Sequence, residues 1–299
     1  MRTAHRNITS WAAVCWFLLG TPQPAVTQEL AVSRFADVND IRLHYRVIGD
    51  GEPMLLVHGF TNVGQVWDPF FDQLADQRSL IVPDLRGHGL STNPQGVFTH
   101  RLAAEDLLAL LDELDLQQVV GIGHSSGALA LLELALIAPE RLRAMVLVDG
   151  AHRFPEKTRD MMVALNADTM VAALPDFFGA MIGWHARGMP QLRELVDQVH
   201  AFGADPAEGA HDAAEIREIE VPTLVVHGDR DELYPVGVAV ELYELLLNSE
   251  LWIMPNVDHG AFLGYPFEPD SLQCSACVQA GKHFPAVVDR FLGRFREPG

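Results

Sequence analysis

The stretch Gly123-His124-Ser125-Ser126-Gly127 follows the short apolar run Val119–Ile122 and precedes a helical pattern from Ala128 to Ile137. A G-x-S-x-G sequence between a strand and a helix predicts a nucleophile elbow, the sharp turn that exposes a serine hydroxyl. Its glycines are needed because side chains there would collide with neighbouring backbone at a strained turn. We therefore predict that Ser125 is a nucleophile.

Strand-like and helix-like segments alternate on both sides of this elbow. Residues 101–114 place four leucines on one helical face. Because the apolar strands are uninterrupted and separated by helices, we predict an α/β fold with a mostly parallel sheet covered on both faces. We expect the turn Gly49–Pro53 to join the first two strands as a hairpin. The predicted strands are Ile41–Val47, Met54–Val57, Leu80–Val82, Val119–Ile122, Ala144–Val148, Thr223–Val226 and Leu251–Met254.

The alternation stops between Arg153 and about Glu220, where the pattern indicates helices without strands. We predict a helical cap over residues 153–220, inserted between a first core segment, 28–152, and a second, 221–299. Methionine and aromatic residues are frequent in this cap, and they either pack it onto the core or line an adaptable apolar pocket. They are Met161, Met162, Met170, Phe177, Phe178, Met181, Trp184 and Met189.

Two further segments have the composition that acyl-transfer chemistry needs. In Val57-His58-Gly59-Phe60, which ends an early strand, the turn can direct the backbone N–H of Phe60 toward an oxyanion beside Ser125. The N–H of Ser126, directly after the nucleophile, would supply the second donor. Asp84–Ser91 reads D-x-R-G-x-G-x-S. On these motifs the chain resembles the α/β-hydrolase superfamily, specifically its esterase-like members with a cap, from about Val38 to Leu292.

The resemblance implies a catalytic acid and a catalytic histidine later in the chain, in the order Ser, acid, His. The turn after the penultimate strand, His227–Pro235, places the acid at Asp231, and the turn after the last strand places the base at His259. Asp229 and Asp149 remain alternative acids. The family more often has Gly where this chain has Asp258, and a carboxylate there would either raise the pKa of His259 or compete for its orientation.

Other histidines beside glycine turns, at positions 58, 88, 124 and 227, are expected to bond to local backbone rather than to act in catalysis. Gly121-Ile122-Gly123 lacks the third glycine of a dinucleotide-binding loop, which excludes a Rossmann cofactor site. The resemblance implies a reaction that needs neither a metal nor an organic cofactor.

The amino terminus has the pattern of a secretory signal peptide over residues 1–27. Arg2 and Arg6 precede the apolar run Trp11–Gly20, and prolines and small residues follow it. The run is about half the ~20 residues that span a bilayer, so a stable membrane anchor is not expected. We predict a periplasmic or secreted protein.

Cys274 and Cys277 would be the cysteines left after cleavage. In an exported protein such a pair predicts a disulfide; a metal clip and a redox-active or free pair are the alternatives. Both cysteines lie in an apparent insertion between His259 and the expected final helix, Phe284–Phe291.

The composition excludes disorder, since 48% of the residues are hydrophobic and 20% are charged. The net charge of −19 would become −21 without the leader, which has two Arg and no acid, and it argues against nucleic acid as a partner. The partner expected from the resemblance is a small-molecule ester, cleaved by a Ser-His-Asp acyl-enzyme mechanism. A C–C bond hydrolase, a lactonase, a thioesterase and a non-catalytic ligand receptor stay open, and the oligomeric state is unknown. A Ser at the elbow excludes the dehalogenase and epoxide-hydrolase chemistries, which need Asp there.

Overall fold

An eight-stranded sheet is the centre of the computed structural model, which describes residues 32–173, 175–260 and 275–295. The strand order is β1-β2-β4-β3-β5-β6-β7-β8, and β3 to β8 are parallel, which confirms the predicted mostly parallel α/β sheet. The strands are β1 (Val32–Val38), β2 (Ile41–Ile48), β3 (Glu52–Val57), β4 (Arg78–Pro83), β5 (Val119–His124), β6 (Leu142–Val148), β7 (Thr223–Gly228) and β8 (Ser249–Met254).

The predicted hairpin across Gly49–Pro53 is wrong. β2 pairs antiparallel with β1 and β4, while β3 lies on the far side of β4 and pairs parallel with β4 and β5. β3 is apolar on both faces, so it belongs in the middle of the sheet rather than beside a half-exposed edge strand. The actual hairpin joins β1, which the sequence analysis missed, to β2 through Asn39 and Asp40, both at positive φ.

Helices cover both faces of the sheet. The helices outside the cap region are α1 (Phe71–Leu74), α2 (His100–Glu113), α3 (Ser126–Ile137), α9 (Val236–Leu245) and α10 (Ser275–Leu292). On one face, leucines of α2, α3 and α9 pack against alternate residues of the strands, such as Met145 and Leu147 of β6. On the other face, α10 and the 3-10 helix Gly64–Phe70 pack against Val146 and Val148. This alternation explains why the central strands have no polar face.

Between β6 and β7 the described chain is helical. Its helices are α4 (Glu156–Ala164), α5 (Ala167–Ala173), α6 (Pro175–Trp184), α7 (Met189–Ala204) and α8 (Ala213–Arg217). Their apolar side chains form a small core of their own that includes Phe178, Met181 and Leu192. These helices lie within the segment predicted to be a cap.

The final helix begins earlier than the sequence predicted. α10 starts at Ser275, nine residues before Phe284, and contains Pro285 and the backbone of Cys277. Cys274 and the predicted signal peptide, residues 1–27, lie outside the described residues. Among the residues that the structure describes, no helix combines the length and the apolar character needed to cross a membrane.

The topology brings the predicted site residues to one edge of the sheet. Because β3, β5, β6, β7 and β8 are parallel, the loops after their carboxyl ends meet there. These loops carry Phe60, Ser125, Asp149, Asp231 and His259, respectively.

Candidate active site

Ser125 sits at a strained turn between β5 and α3. Its backbone has φ 52° and ψ −119°, a conformation that L residues seldom adopt. The turn requires glycine on both sides, because a Cβ on Gly123 would lie 2.4 Å from the carbonyl oxygen of Gly127, and one on Gly127 would lie 2.3 Å from that of Val57. The geometry is that of a nucleophile elbow.

His259 links this serine to a carboxylate. Its Nε2 lies 2.9 Å from the Oγ of Ser125, and its Nδ1 lies 2.7 Å from an oxygen of Asp231. A neutral imidazole with its proton on Nδ1 donates to Asp231 and accepts from the serine hydroxyl, so the geometry fixes the tautomer that a general base needs. Two hydrogen bonds therefore connect the residues predicted as nucleophile, base and acid, in the order Ser125, His259, Asp231.

The turn after β7 holds Asp231 in position. Its second carboxylate oxygen accepts the backbone N–H groups of Leu233 and Tyr234, each at 2.8 Å. The alternative acids are bonded elsewhere. Asp229 accepts the N–H of Asn256, and Asp149 accepts two backbone N–H groups, so neither makes a hydrogen bond to His259.

The residues predicted to supply the oxyanion donors line the same cavity as Ser125. Ser126 is the first residue of α3, so its N–H has no acceptor within the helix. Phe60 lines the cavity beside Ser125 and Ser126, and its ring packs edge-on against Phe98 and Phe202. Both residues therefore border the space where a carbonyl oxygen would lie during attack by Ser125.

A cavity of about 320 Å³ opens onto the triad. This volume is at the lower end of the range for small-molecule sites, roughly 300 to 1,000 Å³. No Lys or Arg is found among its described lining residues, and Asp258 is the acid that faces it. The apolar lining residues from the cap region are Phe154, Met162, Leu165, Met170, Phe178, Met181, Val199 and Phe202.

The carboxylates around His259 determine its protonation. Burial lowers its pKa, but the hydrogen bond and charge of Asp231, with the charges of Asp149 and Asp258, outweigh burial and raise the pKa above its ordinary value. Asp258 does not compete for the orientation of the imidazole, because Nδ1 bonds to Asp231. Burial also raises the pKa of Asp258 and that of Asp149.

Three of the four other histidines bond to backbone as expected. His58 contacts the carbonyl of Gly59 at 2.7 Å, His88 that of Arg86 at 2.9 Å, and His227 that of Tyr234 at 2.7 Å. The expectation is wrong for His124. Neither of its ring nitrogens has a hydrogen-bond partner among the described residues, and burial holds its pKa well below the ordinary value.

Two groups of side chains beneath the triad have the spacing of metal ligands. One contains His124, Asp149 and His259, and the other contains Asp149, His227 and Asp231, with ligand atoms within 4.8 Å of one another. Hydrogen bonds account for part of each group, whereas both ring nitrogens of His124 and Nδ1 of His227 have no hydrogen-bond partner among the described residues. Each oxygen of Asp149 accepts a backbone N–H, and Nδ1 of His259 is held by Asp231.

Sequence reasoning missed Tyr234 as a site residue. Tyr234 is buried, stacks on Phe154, and contacts the ring of His259 edge-on at 5.3 Å. Burial is the largest influence that raises the pKa of its hydroxyl, and a side-chain hydrogen bond with Ser125 opposes it. Its position three residues after Asp231, in the turn that carries the acid, was the available signal.

Comparison with known proteins finds a family model with this type of fold. Residues 52–189 match the family model described as alpha/beta hydrolase fold. An uncharacterized protein of Mycobacterium tuberculosis is 31% identical over 290 residues, which cover 87% of this chain and 80% of that protein.

Two relatives with named activities have a lower sequence identity to this chain. The pimeloyl-(acyl-carrier protein) methyl ester esterase of Nitrosomonas europaea is 24% identical over 75% of this chain and 95% of its own length. The 2-hydroxy-6-oxo-6-(2'-aminophenyl)hexa-2,4-dienoic acid hydrolase of Metapseudomonas resinovorans is also 24% identical, over 79% and 87%. Among solved structures, the enol-lactonase from Burkholderia xenovorans superposes with a TM-score of 0.68 at 20% identity, over 87% of this chain and 100% of that one.

Proposed function

From the premise that this chain belongs to the α/β-hydrolase family, we propose that it is a serine hydrolase that cleaves small, neutral carboxylic esters. The observation that carries the proposal is the hydrogen-bond sequence from Ser125 through His259 to Asp231, with distances of 2.9 and 2.7 Å, at the floor of an apolar cavity. Ester hydrolysis is one of several activities named among its relatives, and the lining of the cavity supports this choice.

In the proposed mechanism, His259 accepts the hydroxyl proton of Ser125 as Oγ attacks the acyl carbon. Asp231 keeps the imidazole in the correct tautomer and stabilises the imidazolium. The N–H groups of Phe60 and Ser126 bind the oxyanion, and each such donor is worth about 3 kcal/mol in acyl-transfer enzymes. His259 then returns the proton to the leaving alcohol. Water repeats the cycle on the acyl-enzyme and releases the acid.

The lining of the cavity supports a neutral substrate. A carboxylate or phosphate bound there would have no cation among the described lining residues, and it would face Asp258. The net charge of −19 adds a long-range repulsion. Methionines at positions 162, 170 and 181 give the cavity walls that adapt to different apolar groups.

The proposal is tested by labelling the protein with a fluorophosphonate and identifying the modified peptide by mass spectrometry. The label is expected on Ser125, and Ser125→Ala is expected to abolish it. An unlabelled wild-type protein, or a label elsewhere, would contradict the proposed nucleophile.

Substrate class is tested separately with p-nitrophenyl esters of graded chain length against an anionic dienoate of the C–C hydrolase type. We expect kcat/KM to be higher for the neutral esters. A tenfold preference for the dienoate is equal to about 1.4 kcal/mol of transition-state binding. This result would change the proposed function from an esterase to a C–C bond hydrolase.

Export is a further part of the proposal, supported by the amino-terminal pattern of residues 1–27. In an oxidising compartment Cys274 and Cys277 would form a disulfide. Amino-terminal sequencing of protein from the periplasm or medium tests the cleavage near Thr27. Thiol quantification of the same material tests the disulfide, which would be contradicted by two free thiols.

A further inference from the structure

A second serine and a second histidine lie on the wall of the same cavity, outside the triad. The Nε2 of His100 is 3.1 Å from the Oγ of Ser126, and both residues line the cavity. On the other side of the ring, Nδ1 of His100 contacts a carboxylate oxygen of Glu208, which also accepts the backbone N–H of His100 at 3.1 Å. The proposed mechanism uses only the backbone N–H of Ser126, so the side chains of this network are unassigned.

The network is buried among aromatic rings. His100 and Ser126 are 2% and 4% exposed, and the rings of Phe98, Phe154 and Phe202 lie 5.3 to 6.1 Å from that of His100. Burying a carboxylate and an imidazole in such surroundings is costly unless every polar atom is bonded. The bonds among Glu208, His100 and Ser126 meet this requirement within a cavity wall that is mostly apolar.

The segment after α7 holds Glu208 firmly. The guanidinium of Arg159 donates to four backbone carbonyls there, those of Phe202, Asp205, Pro206 and Glu208, at 2.6 to 3.1 Å. Burial raises the pKa of Glu208, but the side-chain and backbone hydrogen bonds of His100 are the foremost of the influences that outweigh it, and the net pKa is lowered. Glu208 is thus a fixed carboxylate.

This carboxylate sets the direction of every hydrogen bond in the network. Because ionised Glu208 only accepts, Nδ1 of His100 carries the proton and donates to it. In the tautomer with this single ring proton, Nε2 is an acceptor, and the hydroxyl of Ser126 donates to it. The Oγ of Ser126 consequently has lone pairs left for the cavity but no proton.

We propose that Ser126, fixed by His100 and Glu208, forms a polar subsite that recognises a hydroxyl group on the α or β carbon of the acyl chain. This inference rests on the proposed function, because the backbone N–H of Ser126 is taken to bind the carbonyl oxygen. The N and Oγ of one serine are about 3 to 4 Å apart, depending on the rotamer of the side chain. A hydroxyl one or two carbons from an ester carbonyl has a similar separation from the carbonyl oxygen, so one substrate can reach both atoms.

The subsite distinguishes a donor from an acceptor. A hydroxyl donates to the Oγ of Ser126, whereas a methoxy oxygen at the same carbon places lone pairs against lone pairs. The neutral ethyl esters of butanoate, 2-hydroxybutanoate, 3-hydroxybutanoate and 3-methoxybutanoate compare these cases directly. Their hydrolysis is measured as acid release in a pH-stat.

For the wild-type protein, we expect kcat/KM for one of the hydroxy esters to exceed that for ethyl butanoate at least fivefold, the effect of one net hydrogen bond. The methoxy ester should fall below ethyl butanoate. In Ser126→Ala, which keeps the backbone N–H, the hydroxy to plain ratio should drop to within twofold of one. Ser79→Ala, a serine on β4 at the opposite edge of the sheet, is the matched control and should keep the wild-type ratio.

Two results would overturn the subsite: a wild-type ratio of one or less for both hydroxy esters, or an elevated ratio that Ser126→Ala leaves unchanged. A preference for the methoxy ester would reverse the assigned hydrogen-bond direction and overturn it as well.

Failure of the proposed function would be distinct, since the wild-type protein would then hydrolyse none of the esters. In that case calorimetric titration of the Ser125→Ala protein still tests the subsite. The hydroxy ester should bind at least fivefold more tightly than ethyl butanoate, and equal affinities would refute the inference.

Discussion

The buried carboxylate of Asp149 accepts a hydrogen bond of 2.8 Å from the backbone N–H of Gly260, the residue directly after His259. Its other oxygen accepts the N–H of Gly228 at 3.0 Å, at the end of the strand that precedes Asp231. Asp149 thus connects the loop of the base to the loop of the acid without contacting Ser125. This arrangement gives it a positioning role.

The three candidate acids are therefore expected to differ in their effect on turnover. Asp231→Asn should lower kcat by roughly 10⁴, because an amide stabilises the wrong tautomer of the imidazole. Asp149→Asn should have a milder effect, since the amide oxygen can still accept one of the two N–H groups. Asp229→Asn should be close to wild type, because its Oδ1 can still accept the N–H of Asn256.

Steady-state kinetics of the three variants, with thermal melting of each, tests this ranking. A loss for Asp149→Asn that is larger than that for Asp231→Asn, without a change in melting temperature, would move the acid to Asp149.

Ser125 and His259 are expected to act as one unit. Ser125→Ala and His259→Ala should each lower kcat by several orders of magnitude, and the double variant should lose little more than either single variant. The reason is that the 2.9 Å hydrogen bond makes the two residues partners in one proton transfer, which is lost when either of them is removed. Additive losses would show that the two residues contribute separately, and retained activity in Ser125→Ala would move the nucleophile.

The candidate nucleophile could be located from sequence because its turn follows a short apolar strand and has glycines two residues to either side, whereas Asp231 and His259 were placed by the resemblance of their turns to those of the α/β-hydrolases. Such local motifs can be recognised in a sequence without knowledge of the fold. The order of the strands in the sheet cannot be recognised in this way, which explains why the hairpin predicted at Gly49–Pro53 is wrong. Consecutive strands usually pair, yet here β4 is inserted between β2 and β3, and only the packing of the whole sheet determines this.

His100 and Glu208 illustrate the second limit. They are separated by 108 positions and have no shared motif, and contact between them depends on where the chain after α7 lies against the start of α2. The unpaired His124 is a third case, because its neighbours in the sequence predict a local bond that the buried side chain does not make. The strand order, the contact between His100 and Glu208 and the surroundings of His124 all depend on the tertiary structure.

The cavity predicts a dependence on acyl chain length. Met170 lines it and is only half-buried, so Met170→Ala should enlarge the cavity with a small loss of stability. The variant should shift the optimum among p-nitrophenyl esters to a longer chain. Val163→Ala, a neighbouring exposed residue outside the lining, is the control and should leave the optimum unchanged. An unchanged optimum in Met170→Ala would show that the substrate does not reach this wall.

The pH dependence should report the carboxylates around His259. His259 must be neutral to accept the proton of Ser125, so kcat/KM should rise with pH as the imidazole loses its proton. Since neighbouring carboxylates raise the pKa of His259, the midpoint of this rise should lie above 6.5. Asp258→Asn removes one of these charges but leaves the bond to Asp231, so the midpoint should move to lower pH while kcat on the plateau is largely retained.

The matched control is Asp72→Asn, an exposed acid on α1, which should leave the midpoint in place. A pH profile of kcat/KM for a neutral ester at constant ionic strength measures both variants, because a neutral substrate has no titration of its own in this range. The direction of the shift is the informative quantity. If Asp258 instead held the imidazole in place, its removal would lower the plateau and leave the midpoint where it was, and the assigned electrostatic role would be wrong.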